Sequence, residues 1–248
     1  MGIFSPRPTG RPFQLFGPKH LSSLVATGLG IAGTVALGRR LDEDGRRRGR
    51  QAIVAGLVGQ EVVYHLWKAR SGSWSIQEML PLHLCSTLVW ASGPILLRPT
   101  TLGDDVAWYW GMAGAPQALL TPDIGGFDFP HFRYTQFFIS HGLILTVPFW
   151  KVFVEGRRPT AGGATRAFVL LLAQAGVAHL VNRRLGSNYM FVTRKPDTAS
   201  VLDKLPPWPR YVPILAAAGV VVFAALRAPW TAVRAVDAAR ADRPRRRG

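Results

Sequence analysis

The sequence contains a single cysteine, Cys85, among its 248 residues. One thiol excludes an internal disulfide framework and any zinc site built from several cysteines. Acidic residues are also scarce, with 14 Asp and Glu against 30 Lys and Arg, which gives a net charge of +16. A nucleic-acid-binding domain would arrange such basic residues along a groove with aromatic residues between them. Here they fall between long apolar runs, so we expect no nucleic-acid partner.

Residues 1–20 lack the apolar core of a signal peptide, and Pro6 breaks the myristoylation pattern. They are predicted to be an N-terminal tail. Beyond them the chain has seven mostly apolar segments, and a bilayer core of about 30 Å requires about 20 such residues in a helix. The segments are Leu21–Leu37, Gln51–Lys68, Leu80–Leu97, Asp105–Thr121, Tyr134–Val154, Ala164–Val181 and Pro213–Pro229.

No segment alternates as a barrel strand would, and an unpaired backbone is not tolerated in lipid. The predicted fold is therefore an all-α, polytopic membrane protein, with a seven-transmembrane-helix bundle over residues 21–230. Residues 231–248 are predicted to be a basic cytoplasmic C-terminal tail. The side of the membrane that carries the N-terminus holds 12 Lys and Arg and the other side 18. The positive-inside rule then places the N-terminus outside. A composition rich in Ala, Arg and Gly suggests a bacterium, and hence its plasma membrane.

Polar residues of the predicted helices gather on one side of the membrane. Ionisable side chains are costly in lipid and usually face a functional cavity. Under the predicted topology five helices bring such residues to a similar depth on the N-terminal side, and the opposite half has almost nothing comparable. The sequence therefore predicts a functional cavity on the N-terminal side, open to the outer leaflet.

A Cys–His pair is the chemistry we expect there. Pro81 is predicted to begin the third helix, which places Cys85 near its positive end. His83 should point away from Cys85 on that helix, so His141 from another helix is the expected base. Glu61, His65 or Asp123 would orient the histidine. Arg133 or Lys195 is expected to hold a lipid phosphate. The predicted substrate-binding residues are His83, Gln117, Thr121, Gln136, His179, Asn182, Asn188, Tyr189 and Lys195.

Other interpretations of these residues remain open. Cys85 alone would be an ordinary packing residue. His65, His83, His141 and His179 with Glu61 offer ligands for zinc, but no short metal motif supports this, so we expect no metal. Intramembrane Glu and His residues can also relay protons in a transporter, although no internal repeat is present. The GxGxxG pattern of residues 28–33 is explained by small-residue packing in a membrane helix, so we expect no dinucleotide or other cofactor.

Several sequence blocks carry a family resemblance over residues 50–230. They are LPLHLCS, WGMAGAPQALLTPD, FFISHG, VEGRRPT, NRRLGSNYMFVTRKPDTASVLD and WPRY. The chain resembles the YwaF-like bacterial integral membrane family. That family is similar to the eukaryotic transmembrane protein 164 family, whose members are described as acyltransferases that move fatty acyl chains between phospholipids through a cysteine. The resemblance implies that Cys85 is the nucleophile and His141 its histidine.

The function we expect is acyl transfer or hydrolysis on a lipid acyl ester, with a membrane phospholipid or other acyl lipid as the partner. The alternative is a non-enzymatic protein that binds or transports a small solute, coupled to protons, in the same polar cavity. The sequence indicates no oligomeric state.

Overall fold

The computed structural model describes residues 2–8, 13–196 and 201–241. Within these ranges the chain forms helices and turns and contains no β-strand, which confirms the all-α prediction. Two 3₁₀ turns, Tyr189–Phe191 and Val201–Lys204, lie between the last two helices. The helices are α1 (Pro18–Arg40), α2 (Glu43–Arg70), α3 (Ile76–Met79), α4 (Leu84–Leu97), α5 (Thr101–Leu120), α6 (Phe132–Phe153), α7 (Gly163–Leu185) and α8 (Tyr211–Ala241).

Local capping explains several of these boundaries. The Asp42 side chain accepts from the Gly45 amide at the start of α2, and Thr100 accepts from Gly103 at the start of α5. Such caps satisfy N–H groups that have no partner in the first turn of a helix. Gly186 ends α7 in the left-handed conformation, with φ of 68°. Only glycine adopts that conformation at little cost, so the end of α7 is set by this residue.

Three helices are long and apolar enough to cross a membrane: Pro18–Arg40, Gly163–Leu185 and the stretch Tyr211–Arg240. Leu84–Leu97 is apolar but has only 14 residues. The chain is therefore a membrane protein, while the number of seven spans stays a prediction. Helix α8 runs past residue 230 to Ala241, and residues 242–248 of the predicted tail lie outside the described residues.

Helices α5 and α6 form the centre of the bundle. Helix α6 packs against α1, α2, α4 and α5, and α5 also contacts α7 and α8. Tyr109 of α5 and Trp150 of α6 are almost completely buried. By contrast, Leu29 of α1 and Val221 of α8 are about two-thirds exposed. Apolar side chains on an outer surface are what a helix facing lipid requires, so the peripheral helices present a membrane-compatible surface.

The glycines of the GxGxxG pattern do not pack as predicted. A side chain at Gly28, Gly30 or Gly33 would meet no atom within 4 Å. These glycines therefore do not allow α1 to pack closely against another helix of the described chain. The prediction of small-residue packing is wrong for contacts within one chain.

The end of the bundle opposite the predicted cavity contains buried ion pairs. Lys151 Nζ lies 2.8 Å from Asp104 Oδ1 and 3.6 Å from Glu155 Oε2, and Arg166 Nη2 lies 2.6 Å from Asp105 Oδ2. The expectation that this half has almost no polar groups is wrong. The charges lie near the ends of α5 and α6 and at the start of α7, where each carboxylate meets a cation and its desolvation is compensated.

The segment before α4 differs from the predicted helix. Pro81 does not begin α4, because the helix starts at Leu84 and His83 is its N-cap, with an extended backbone. Cys85 is therefore the second residue of α4 and lies closer to its N-terminus than predicted. The preceding residues are held by Tyr189, whose hydroxyl donates to the Ile76 carbonyl and accepts from the Leu80 amide.

Candidate functional site

A cavity of about 590 Å³ lies among α2, α4, α5 and α6, and we call it the Cys85 cavity. It is at the end of the bundle where α1 begins, the side that the sequence predicts. Side chains from the α5–α6 loop and from the Tyr189–Phe191 turn close it. The predicted site residues that line it are Cys85, His141, Glu61, Asp123, His83, Gln117 and Gln136.

Cys85 lies in the first turn of α4 and is partly buried. Its Sγ faces α5, since a Cβ placed on Gly114 would be 3.4 Å from that sulfur. A methyl group at this position would just touch the sulfur and would press on Leu84 Cδ2 at 3.1 Å, so Gly114 leaves space beside the thiol. The first turn of a helix carries the positive end of the helix dipole, which favours a thiolate.

His141 reaches the same cavity from the middle of α6. Its Nδ1 lies 2.8 Å from the Phe137 carbonyl oxygen, and its ring stacks on the Phe137 ring at 4.1 Å between centroids. A carbonyl oxygen only accepts, so Nδ1 carries the proton and Nε2 of the neutral ring is left to accept one. The Nδ1 partner is thus a backbone carbonyl, and neither Glu61 nor Asp123 orients His141 as predicted.

Cys85 and His141 line one cavity from two helices, but no hydrogen bond joins them in the part of the chain that the structure describes. Catalytic hydrogen bonds are often long before substrate binds. The structure therefore shows that the two residues share a cavity. The assignment of Cys85 and His141 as catalytic residues stays a prediction.

Arg133 provides a positive charge in the cavity wall. Its guanidinium lies over the Tyr64 ring at 4.9 Å and the Phe137 ring at 5.3 Å from the centroids. It donates to Gln136 Oε1 at 2.9 Å and to the Asp123 carbonyl at 3.1 Å. Among the described residues no carboxylate pairs with it within 4 Å. Cation–π contacts and two hydrogen bonds thus fix an arginine that is not neutralised by a neighbouring acid.

A hydrogen-bonded amide network connects α2 and α6 behind Arg133. Gln136 Nε2 donates to Gln60 Oε1 at 2.7 Å, and Gln60 Nε2 donates to Ser140 Oγ at 3.0 Å. Glu61 is buried next to this network, with His65 Nε2 3.6 Å from its Oε1. The network holds α2 and α6 in register, since each amide is positioned by two partners.

The sequence did not identify Gln60 and Ser140. Both could have been identified from the sequence, because a polar side chain inside a segment of membrane-spanning length carries an energetic cost. Both stand next to predicted site residues or one helical turn from them, so helical periodicity was also available as a signal.

His83 is held at the mouth of the Cys85 cavity. Its Nδ1 accepts from the Met190 amide at 3.3 Å, and its ring packs against the rings of Tyr189 and Phe191. Met190 and Phe191 both have left-handed φ angles, 56° and 55°. Such angles are strained for residues other than glycine and persist only where contacts enforce them, often at functional sites.

Two predicted residues lie beside the cavity. His65 does not line it, but its Nδ1 accepts from Trp74 Nε1 at 3.2 Å and its Nε2 faces Glu61. Thr121 donates its hydroxyl to the Gln117 carbonyl at 2.9 Å, so it ends α5 rather than facing the cavity.

The predicted residues in the last turn of α7 and in the loop after it bond to the backbone and do not line the Cys85 cavity. Asn182 binds both the amide and the carbonyl of Tyr189. Asn188 accepts from the Arg194 amide and donates to the Lys195 carbonyl. The ammonium of Lys195 donates to the Leu205 carbonyl at 2.7 Å. These side chains build the loop after α7, so the structure does not bring them to the thiol.

His179 is also separate, since it lines a different cavity at the end of α7. In the described residues no group of three or more His, Cys, Asp and Glu side chains is placed to hold a metal ion. His83 and His141 line the Cys85 cavity with Glu61, and His65 lies beside Glu61, but these side chains are not arranged as metal ligands, and His179 lies in another cavity.

A comparison with protein-family models identifies the family of this chain. A family model described as the TMEM164 family matches residues 15–227. The chain belongs to the TMEM164 family. The match covers most of the chain and includes α1, whereas the sequence blocks indicated residues 50–230. The resemblance to the TMEM164 family is confirmed, and the bacterial YwaF-like assignment stays a prediction. No curated protein and no solved structure matches the chain.

Proposed function

We propose that the protein is a lipid acyltransferase or hydrolase that acts on an acyl ester through Cys85 and His141. The observation that supports this most directly is the placement of both residues, from α4 and α6, on the wall of one cavity in a TMEM164-family membrane protein. A cavity of about 590 Å³ has room for the reacting end of a lipid.

The proposed reaction has two steps. His141 Nε2 takes the proton of the Cys85 thiol, and the sulfur attacks the ester carbonyl. A C–S bond forms, the ester C–O bond breaks, and the proton passes from His141 to the leaving alcohol. In the second step an acceptor alcohol or water loses its proton to His141 and attacks the thioester, which releases the thiol. An alcohol acceptor makes the protein a transferase and water makes it a hydrolase.

Arg133 is the residue best suited to hold a lipid phosphate in this cavity. Its guanidinium has no carboxylate partner within ion-pair distance in the described residues and is fixed between two aromatic rings. A planar guanidinium binds a phosphate through two parallel hydrogen bonds. Lys195, the other predicted phosphate ligand, is occupied by backbone carbonyls.

We further propose a seven-span arrangement in a bacterial plasma membrane, with the N-terminus and the Cys85 cavity on the outer side. Reporter fusions to the α2–α4 segment and to the chain end test it. A cytoplasmic signal from the α2–α4 segment would contradict the proposed orientation.

The test uses the fact that the chain has only one thiol. Purified protein in lipid nanodiscs is incubated with a phospholipid that carries a labelled acyl chain, and label that neutral hydroxylamine releases from the protein is measured. Any such thioester must be on Cys85. We expect labelling of the native protein and no labelling of Cys85→Ser. His141→Gln should lower the labelling rate at least about 100-fold, the usual contribution of a general base.

A relocated thiol is the matched control. The double variant Cys85→Ser, Ser22→Cys keeps one cysteine but places it on the exposed face of α1. It should not form the thioester. Equal labelling of this variant would show nonspecific thiol chemistry, and turnover that survives Cys85→Ser would contradict catalysis through this thiol. Neither labelling nor turnover in the native protein would favour the solute-binding alternative.

A further inference from the structure

A second cavity, of about 480 Å³, lies where α7 ends, and we call it the α7-end cavity. His179 and Arg183 of α7 line one side of it. Thr193, Arg194 and Trp208 line the other. It contains none of Cys85, His141 and Arg133, although His179 and Asn182, which the sequence predicted to bind substrate, line it.

The two arginines give this cavity a positive charge that no acidic side chain among the described residues compensates. Arg183 and Arg194 are both exposed, and no Asp or Glu lines the cavity. No ion pair involves either guanidinium in the ranges that the structure covers. Arg194 uses Nη1 for long bonds of 3.4 Å to the carbonyls of Gly186 and Ser187, which leaves its other N–H groups available. The cavity therefore presents hydrogen-bond donors and charge that suit an anion.

Hydrogen bonds connect the polar side chains next to the two arginines. Asn182 Oδ1 accepts from the Ser187 hydroxyl at 2.8 Å and from the Tyr189 amide at 2.7 Å. Thr193 donates its hydroxyl to Asn188 Oδ1 at 3.0 Å. Because these side-chain acceptors are already occupied, few of them remain to bind a cation. The cavity thus favours negatively charged ligands for two reasons: its free side-chain groups are mainly hydrogen-bond donors, and its charge is positive.

Trp208 indicates where this cavity lies relative to the membrane. Its Nε1 donates to the Val192 carbonyl at 3.0 Å, and half of the residue's surface is exposed. Tryptophan with a bonded N–H and an exposed ring is typical of the headgroup level of a bilayer. Helix α7, which ends beside it, is one of the helices long and apolar enough to cross the membrane.

We propose that the α7-end cavity binds a phosphate group, supplied either by an anionic lipid headgroup or by free phosphate. Guanidinium forks match phosphate geometry better than a point charge would. The volume exceeds that of one phosphate group and admits a headgroup attached to it. Clustered basic side chains at the membrane surface attract anionic headgroups. The proposal does not depend on acyl transfer at Cys85.

The experiment measures binding to the full-length protein, purified in a neutral detergent at low ionic strength. The probes are a short-chain phosphatidylglycerol, inorganic phosphate and a short-chain phosphatidylcholine. Arg183→Gln should weaken phosphatidylglycerol binding about fivefold, and the double variant Arg183→Gln, Arg194→Gln about tenfold or more, as expected for charge-assisted bonds at an exposed site. Arg184→Gln is the matched control, because Arg184 is an exposed arginine of the same helix end that does not line the cavity.

The outcomes separate the ligand sources. Binding of phosphatidylglycerol but not of inorganic phosphate, weakened in Arg183→Gln and further in the double variant but not in Arg184→Gln, supports a lipid headgroup. Binding of both probes, weakened alike, supports free phosphate as the source. An equal loss in Arg184→Gln would show attraction to surface charge in general and overturn the site, as would phosphatidylglycerol binding no tighter than phosphatidylcholine. Arg183 makes no hydrogen bond in the described chain, so its variant should fold normally even if Arg194→Gln does not.

Discussion

Replacement of Tyr189 by Phe should loosen the segment that leads into α4. Tyr189 is completely buried, and its hydroxyl donates to the Ile76 carbonyl while accepting from the Leu80 amide at 2.9 Å. Burial raises the pKa of Tyr189 above its ordinary value, so the hydroxyl remains a donor across the neutral range. Removing it leaves the Leu80 amide without a partner in a partly buried place.

The expected magnitude follows from that lost partner. An unsatisfied buried donor costs about 2 kcal/mol, whereas the exposed Ile76 can recover a bond to water. The cost should appear as local opening, because the residues between α2 and α4 make few other long-range contacts. A change of about 2 kcal/mol corresponds to about 30-fold faster hydrogen–deuterium exchange at the Leu80 amide. Exchange measured by mass spectrometry with fragmentation to single residues resolves this.

Tyr134→Phe is the control for this prediction. Tyr134 is equally buried and its hydroxyl donates to the Lys19 carbonyl, on the α1 side of the bundle. It should leave exchange at Leu80 unchanged. Unchanged exchange in Tyr189→Phe, or the same increase in both variants, would refute the idea that Tyr189 fixes this segment. A loosened segment should also change the rate at which Cys85 is alkylated, because the residues that Tyr189 binds lead directly into α4.

Two glycine substitutions test close approaches at the two ends of the bundle. Gly163→Ala would bring a Cβ to 2.2 Å from Asp105 Oδ1, so this fully buried carboxylate must move away from Arg166 and Thr160. The substitution should lower the free energy of unfolding by about 3 kcal/mol, measured by unfolding in detergent. Gly114→Val should slow alkylation of Cys85 about tenfold, because the new methyl groups overpack the space beside its sulfur by about 1.4 kcal/mol.

Both substitutions have controls on helices that offer open space. A Cβ at Gly176 of α7 or at Gly93 of α4 would meet nothing within 4 Å. Gly176→Ala should therefore keep the native stability and Gly93→Val the native alkylation rate. Destabilisation of Gly176→Ala as large as that of Gly163→Ala would mean that the Asp105 contact is not the cause.

Much of the fold was predictable because apolar length is a local property. The seven predicted segments each overlap a helix, and most ends agree within a few residues. The larger differences are at α2, which its Asp42 cap starts at Glu43 rather than Gln51, and at α8, which continues to Ala241 beyond Pro229. The predicted start of α4 at Pro81 was wrong. Proline is compatible with the first turn of a helix but also with the extended residues before an N-cap.

The candidate site was predictable only in part. Helical periodicity and depth placed Cys85, His141 and Glu61 at one level, and the structure brings all three to one cavity. Depth alone says nothing of direction around a helix axis, and His179 accordingly faces another cavity. Asn182 and Tyr189 were predicted to bind substrate because they are polar, but their partners are backbone groups of the adjoining loop.

Composition and the length of the apolar runs were sufficient to predict a helical membrane protein with one thiol near the start of an apolar helix. Tertiary structure alone decided which polar groups meet. Lys151 pairs with Asp104, and Arg133 lies over two aromatic rings. The hydrogen-bond partner of His141 Nδ1 is the Phe137 carbonyl rather than a carboxylate. Such pairings depend on rotation and packing of separate helices, which no local pattern along the chain specifies.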